Sequence, residues 1–158
     1  MAYRKVRRLG AGHFGEVWLE HDDALDRLCA AKYLNSASLS TLVDVYAEAQ
    51  AMMAAQHDNV VTVYSADEHH GAPVIRMEYL PDGSVEDRHG GMPVPVGEAL
   101  RILEETCRGL EHLHLMGLLH RDIKPANLLL TPGNGVKVSD FGLSCRSSEV
   151  SQAVPLAY

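Results

Sequence analysis

The residues able to do chemistry sit in one short stretch, His120-Arg121-Asp122-Ile123-Lys124-Pro125-Ala126-Asn127, and in Asp140, thirteen residues beyond Asn127. The stretch supplies a carboxylate, an ammonium group and an amide oxygen. Asp140, at the head of Asp140-Phe141-Gly142, adds a second carboxylate. Phosphoryl transfer calls for such a set: a carboxylate at the attacking hydroxyl, a cation at the γ-phosphate and two oxygen ligands for Mg²⁺. Either group alone could be accidental. The ordered pair, with a strand-turn-strand pattern between its members, is specific.

The elements that must position these groups follow from the chain in order. Tyr3 to Leu9 alternates weakly as a strand and leads into Gly10-Ala11-Gly12-His13-Phe14-Gly15-Glu16-Val17, a G-x-G-x-x-G-x-V pattern. Such glycines allow positive φ and bring backbone N–H groups close to phosphate oxygens. A dinucleotide fold would need a helix next, yet Val17-Trp18-Leu19 continues as strand. A third strand, Arg27 to Tyr33, holds Cys29-Ala30-Ala31-Lys32. Ser40 can cap a helix to about Gln56, with Leu42, Val45, Tyr46, Ala49, Met52 and Met53 on one stripe. Glu48 falls on that stripe, and a carboxylate facing a core needs a cation; Lys32 is the expected partner.

Strands are expected at Val60 to Ala66 and Val74 to Glu78, around a polar turn with His69, His70 and Gly71. Adjacent side chains in a turn diverge and no Cys or carboxylate cluster accompanies them, so these histidines read as solvated rather than as metal ligands. Pro81-Asp82-Gly83 makes a turn, and a short helical piece lies near Ser84 to Arg88. Ala99, Leu100, Leu103, Cys107, Leu110 and Leu113 then define an amphipathic helix ending at Gly117, with Cys107 expected as a small core hydrophobe. Leu128 to Leu130 and Val136 to Val138 frame the turn Pro132-Gly133-Asn134-Gly135 and set Asp140 just after a strand.

Five of the eight positions from His120 to Asn127 match the protein kinase pattern H-R-D-x-K-x-x-N. With Asp140-Phe141-Gly142 and the glycine hairpin, the chain resembles a bacterial-looking Hanks-type Ser/Thr protein kinase over essentially its whole length. The resemblance implies an α+β, two-lobe fold. Residues 1–80 would form a complete small lobe, a five-stranded antiparallel sheet with one helix, and residues 81–158 the first part of a large lobe.

It also implies roles. Asp122 matches the acceptor of the substrate hydroxyl's hydrogen bond and proton, and Lys124 the γ-phosphate cation of Ser/Thr kinases. Lys32, paired with Glu48, would hold the α- and β-phosphates, and Asn127 and Asp140 match the Mg²⁺ ligands. ATP would lie against Gly10, Ala11, Gly12, His13, Phe14, Gly15, Val17, Ala30 and Leu129. Met77 matches the gatekeeper, and Glu78, Tyr79 and Leu80 the hinge that meets adenine. Arg121 marks the subclass whose arginine pairs with a phosphorylated activation loop; Ser144, Ser147, Ser148 and Ser151 are its candidate sites.

The sequence is 158 residues long with net charge −7, 46% hydrophobic and 22% charged residues, as expected of a globular domain. That charge gives no support for nucleic-acid binding and argues against a polybasic membrane patch. No run of about 18 apolar residues could span a bilayer, and Met1 to Gly10 lacks the apolar core of a signal peptide. Three cysteines without a CxxC pair suit a reducing cytoplasm. The resemblance runs to Pro155-Leu156-Ala157-Tyr158, about where the family's A-P-E begins, with Val154 near a customary Thr. The chain therefore reads as part of a kinase acting on a protein substrate. The alternative is a kinase-derived, non-catalytic nucleotide-binding or interaction module. Small-molecule phosphotransferases are disfavoured because their loop usually lacks the Arg121/Lys124 pattern.

Overall fold

The computed structural model describes residues 3–12, 15–35 and 42–140, apart from the side chains of residues 42–45, 47 and 48. Five strands form an antiparallel sheet in the order β1-β2-β3-β5-β4: β1 (Tyr3–Gly12), β2 (Gly15–Asp22), β3 (Arg27–Leu34), β4 (Val63–His69) and β5 (Ala72–Glu78). Helix α1 (Leu42–Ala54) packs on the β4 and β5 side. This is the expected small-lobe architecture. Ser40, the expected cap of α1, lies outside the described residues.

Local chemistry explains the hairpins. Asp22 closes the β2–β3 turn by accepting from the backbone N–H groups of Ala24 (3.1 Å) and Leu25 (3.3 Å). His69 pairs with Ala72, so β4 and β5 are joined by His70 and Gly71 alone, with φ of 51° and 80°. Two successive positive φ values make the tight turn that matches strand twist. The rings of His69 and His70 do not diverge as expected; they meet edge to face at 4.3 Å. Among the described residues there is no cluster suited to a metal ion.

Directly opposed residues of an antiparallel pair share a face. The pairs Val17↔Lys32, Leu19↔Ala30, Ala30↔Met77 and Lys32↔Ile75 therefore line up on the inner face of the sheet. Ala49, Met52, Ala55, Val63, Ile75 and Met77 join one buried core there. The outer face is unusually polar. Arg76 Nε donates to Glu20 Oε2 at 2.9 Å and Arg76 Nη1 to Asp67 Oδ2 at 2.7 Å, and its guanidinium lies 3.7 Å from the ring of Tyr3. Tyr33 also donates to Glu20, and burial together with that carboxylate pushes the Tyr33 hydroxyl well above the ordinary tyrosine range.

Beyond the sheet come α2 (Val85–His89), α3 (Val96–Leu115), a 3₁₀ turn (Pro125–Asn127) and a small antiparallel pair, β6 (Leu128–Leu130) with β7 (Val136–Val138). Ser84 caps α2 in a reciprocal box with Asp87, and Gly90 ends it at φ 54°.

Two expectations need correction. Val60 is not in β4, which starts at Val63; Val60 instead makes an isolated parallel bridge to Val138. Helix α3 buries Ile102, Thr106, Gly109 and Leu113, while Leu100 and Leu103 are about 60% exposed (61% and 59%) and Cys107 is exposed. The reason lies at Gly109, where an added Cβ would stand 2.5 Å from the carbonyl oxygen of Asn59. Only glycine lets α3 come this close to the segment before β4, and that contact fixes which face turns inward.

Candidate active site

Two adjoining cavities lie between the sheet and the 120–140 region. One, of about 370 Å³, is lined by Leu9, Gly10, Val17, Ala30, Met77, Glu78, Tyr79, Leu80, Leu129 and Asp140, among others. The other, of about 510 Å³, gathers Gly10, Ala11, Gly12, Gly15, Val17 and Lys32 from the sheet with Asp122, Lys124, Asn127 and Asp140 from below. Most of the residues singled out in the sequence thus converge. His13, Phe14, the side chain of Glu48 and Ser144, Ser147, Ser148 and Ser151 lie outside the described residues. Arg121 lies on exposed backbone at φ 63° and lines neither cavity.

The glycine hairpin is sterically specified. At Gly15, with φ 141°, a Cβ would lie 1.8 Å from the carbonyl oxygen of Tyr33. At Gly10 and Gly12 a Cβ would meet no described atom within 4 Å. Beneath the hairpin Lys32, buried on β3, donates from Nζ to Asp140 Oδ1 at 2.9 Å. An inward lysine on a sheet requires such a partner.

The 120–127 loop is held by its own hydrogen bonds. His120 Nδ1 accepts from the Asp122 backbone N–H at 3.2 Å, which places its proton on Nε2, and Nε2 donates to the Ser139 carbonyl at 2.7 Å. Ser139 in turn donates from both N–H (2.9 Å) and Oγ (3.0 Å) to the carbonyl of Asn127. Asn127 Nδ2 donates to the carbonyl of Asp122 (2.8 Å) and to its Oδ2 (3.1 Å). This circuit locks the residue before Asp140 to the loop carrying Asp122. Lys124 Nζ lies 2.8 Å from Asp122 Oδ2, and that hydrogen bond, assisted by Asn127, holds the Asp122 carboxyl below the usual carboxylate range. The same bond raises Lys124.

The donor set fits a nucleotide with a hard cation. With its amide N–H groups engaged by Asp122, Asn127 has its amide oxygen left for a metal, and Asp140 has a carboxylate oxygen beyond the one facing Lys32. The apolar walls of the first cavity, Leu9, Val17, Ala30 and Leu129, suit a flat heterocycle.

Comparison with known proteins agrees with this geometry. Residues 3–156 match the protein kinase domain family. The chain belongs to the Ser/Thr protein kinase family. This kinase chain is 34% identical over 151 residues to the serine/threonine-protein kinase Pkn1 of Myxococcus xanthus, covering 90% of the chain and 22% of that protein. It is 35% identical over 150 residues to PknJ of Mycobacterium tuberculosis (90% of the chain, 25% of that protein). To PknB of Mycobacterium leprae it is 37% identical over 145 residues (86% of the chain, 23% of that protein). The kinase chain thus spans about a quarter of the length of these relatives. Members of this family use ATP with Mg²⁺ and act on proteins. No helix among the described residues is long and apolar enough to cross a membrane.

Several residues of the site were not singled out from the sequence. Arg7 lines the first cavity and donates to the Tyr79 hydroxyl at 3.1 Å. Asp87 lines both cavities, and its signal was the S-x-x-D spacing from Ser84. The Glu78 side chain turns away to Lys137 at 2.6 Å, a pairing for which the sequence carries no signal.

Proposed function

We propose that the chain carries the nucleotide-binding and catalytic elements of a kinase that transfers the γ-phosphoryl group of ATP to a protein Ser or Thr hydroxyl. The observation that carries this reading is one cavity lined together by the glycine hairpin, Lys32, Asp122, Lys124, Asn127 and Asp140. Asp122 is the hydrogen-bond acceptor for the attacking hydroxyl and takes its proton late in the reaction. Lys124, already 2.8 Å from Asp122, brings a positive charge beside that hydroxyl, where the transferred group's charge must be balanced. Lys32 serves the α- and β-phosphates. The hinge residues Glu78 to Leu80 orient the base, and the chain divides near Leu80 into a small lobe and the first part of a large lobe. Asn127 and Asp140 would hold Mg²⁺, which would supply positive charge against the phosphates. A cytoplasmic setting, where ATP is supplied and thiols stay reduced, completes the reading.

The test is radiolabel transfer from γ-labelled ATP to a generic Ser/Thr substrate, measured on this chain and, where its gene encodes more, on the longer product. Transfer abolished by Asp122→Asn supports the reading; loss of general-base function costs about 10²–10⁴ in rate. MgATP binding without transfer in either protein would favour a nucleotide-binding module instead.

A further inference from the structure

Glu78 belongs to the hinge, but its carboxylate is engaged elsewhere. Oε1 accepts from the Thr62 backbone N–H at 2.7 Å and from Lys137 Nζ at 2.6 Å. Both side chains of the ion pair are only 17% exposed, so solvent weakens it little. Lys137 is the middle residue of β7 and stands three residues before Asp140.

The backbone around this pair forms a closed circuit. Glu78 N–H donates to the Thr62 carbonyl (2.9 Å), Val61 N–H to the Val138 carbonyl (2.9 Å) and Val138 N–H to the Asn59 carbonyl (2.9 Å). Residues 59–62 therefore hydrogen-bond to the hinge on one side and to β7 on the other. The Lys137–Glu78 pair joins hinge and β7 directly. As β7 has only three residues and its sheet partner β6 is equally short, these cross-links act together with the Ser139 hydrogen bonds to His120 and Asn127 in setting where its end lies.

We infer that Lys137 is a positioning residue that fixes the metal-binding end of the nucleotide site, Asp140, relative to the base-binding end at Glu78 to Leu80. The inference rests on the kinase reading above. It assigns Lys137 no contact with nucleotide. Its effect is to hold two groups that must grip opposite ends of one ligand at a fixed separation, so that neither end is reordered when the ligand arrives.

The test compares MgATP and adenosine binding by calorimetry on the unaltered chain and on Lys137→Met, Lys137→Gln and Lys137→Arg. Adenosine engages only the base-binding end and should bind all four alike. MgATP should bind Lys137→Met about tenfold more weakly, the lower range for losing a group that orients a metal ligand, and should require more Mg²⁺. Lys137→Arg, which keeps a cation for Glu78, should recover most of the affinity. Lys137→Gln, a polar replacement that keeps a hydrogen-bond donor, should fall between and serves if Lys137→Met does not fold. Unchanged MgATP affinity in the Met and Gln variants, or equal losses of adenosine and MgATP, would overturn the inference while leaving the kinase reading intact. Failure of the unaltered, folded chain to bind MgATP would remove both.

Discussion

Lys32 Nζ lies 2.9 Å from Asp140 Oδ1, an ion pair that ties β3 of the sheet to the residue just past β7. The lysine side chain is 8% exposed and the aspartate 37%, so the buried partner depends on the more open one. Asp140 is held at φ 59°, a left-handed conformation uncommon for a non-glycine residue. Lys32→Met should lower phosphoryl transfer about 10²–10³-fold, as expected for loss of a preorganised cation. Asp140→Asn should reduce it comparably but respond to added Mg²⁺, because a neutral oxygen ligand remains. Steady-state rates over a Mg²⁺ series separate the two. Equal, metal-independent losses would mean that Asp140 serves Lys32 alone.

Arg76 carries the stability of the outer sheet face. Its guanidinium is 6% exposed and satisfied by Glu20 (side chain 1% exposed) and Asp67, from strands on both sides of it. Arg76→Ala leaves the Glu20 carboxylate buried without its cation, which should cost about 3–5 kcal/mol. Replacing both members with apolar residues, Glu20→Leu with Arg76→Met, should recover much of that loss, since well-packed apolar pairs often match buried ion pairs. Urea unfolding of the single and double variants is the check. A double variant no better than Arg76→Ala would show that the Asp67 and Tyr3 contacts dominate.

Gly109 sets the approach of α3 to the segment before β4, so Gly109→Ala tests the contact. The added methyl would have to move either the helix or the Asn59 backbone, because the obstacle is a carbonyl oxygen rather than a flexible side chain. Overpacking of this kind costs about 1–3 kcal/mol, more than alanine's better helix propensity returns. Denaturant unfolding should show a net loss; a gain would mean that α3 moves away freely.

Much of the site was legible because it is written in residue identity. The glycine hairpin, Lys32, Asp122, Lys124, Asn127 and Asp140 are unusual residues at fixed spacing, and they meet in one cavity. What escaped notice depends on packing. Leu100 and Cys107 have helical spacing and look like part of a core face, yet they are exposed here. The face that is buried passes through Thr106 and Gly109, residues that apolar periodicity does not count. The ion pairs of Arg76 and Glu78 gave no warning either. In a strand sequence a charged residue reads as solvent-facing, and only the fold brings Glu20 to one and Lys137 to the other.

The last prediction concerns the charge on Asp122. Its carboxyl is held below the ordinary range chiefly by the hydrogen bond from Lys124, with Asn127 second. The sign follows directly: a lowered value keeps the ionised, proton-accepting form present to more acid pH, and removing the cause must raise it toward the ordinary ~3.9 of an aspartate. Lys124→Met should therefore move the Asp122 titration upward, and Lys124→Arg should leave it low. A ¹³C NMR titration of the Asp122 carboxyl carbon reads this without needing turnover. Both groups are open to solvent, so the substitution should leave unfolding midpoints nearly unchanged while phosphoryl transfer falls. An unmoved titration in Lys124→Met would assign the low value to Asn127.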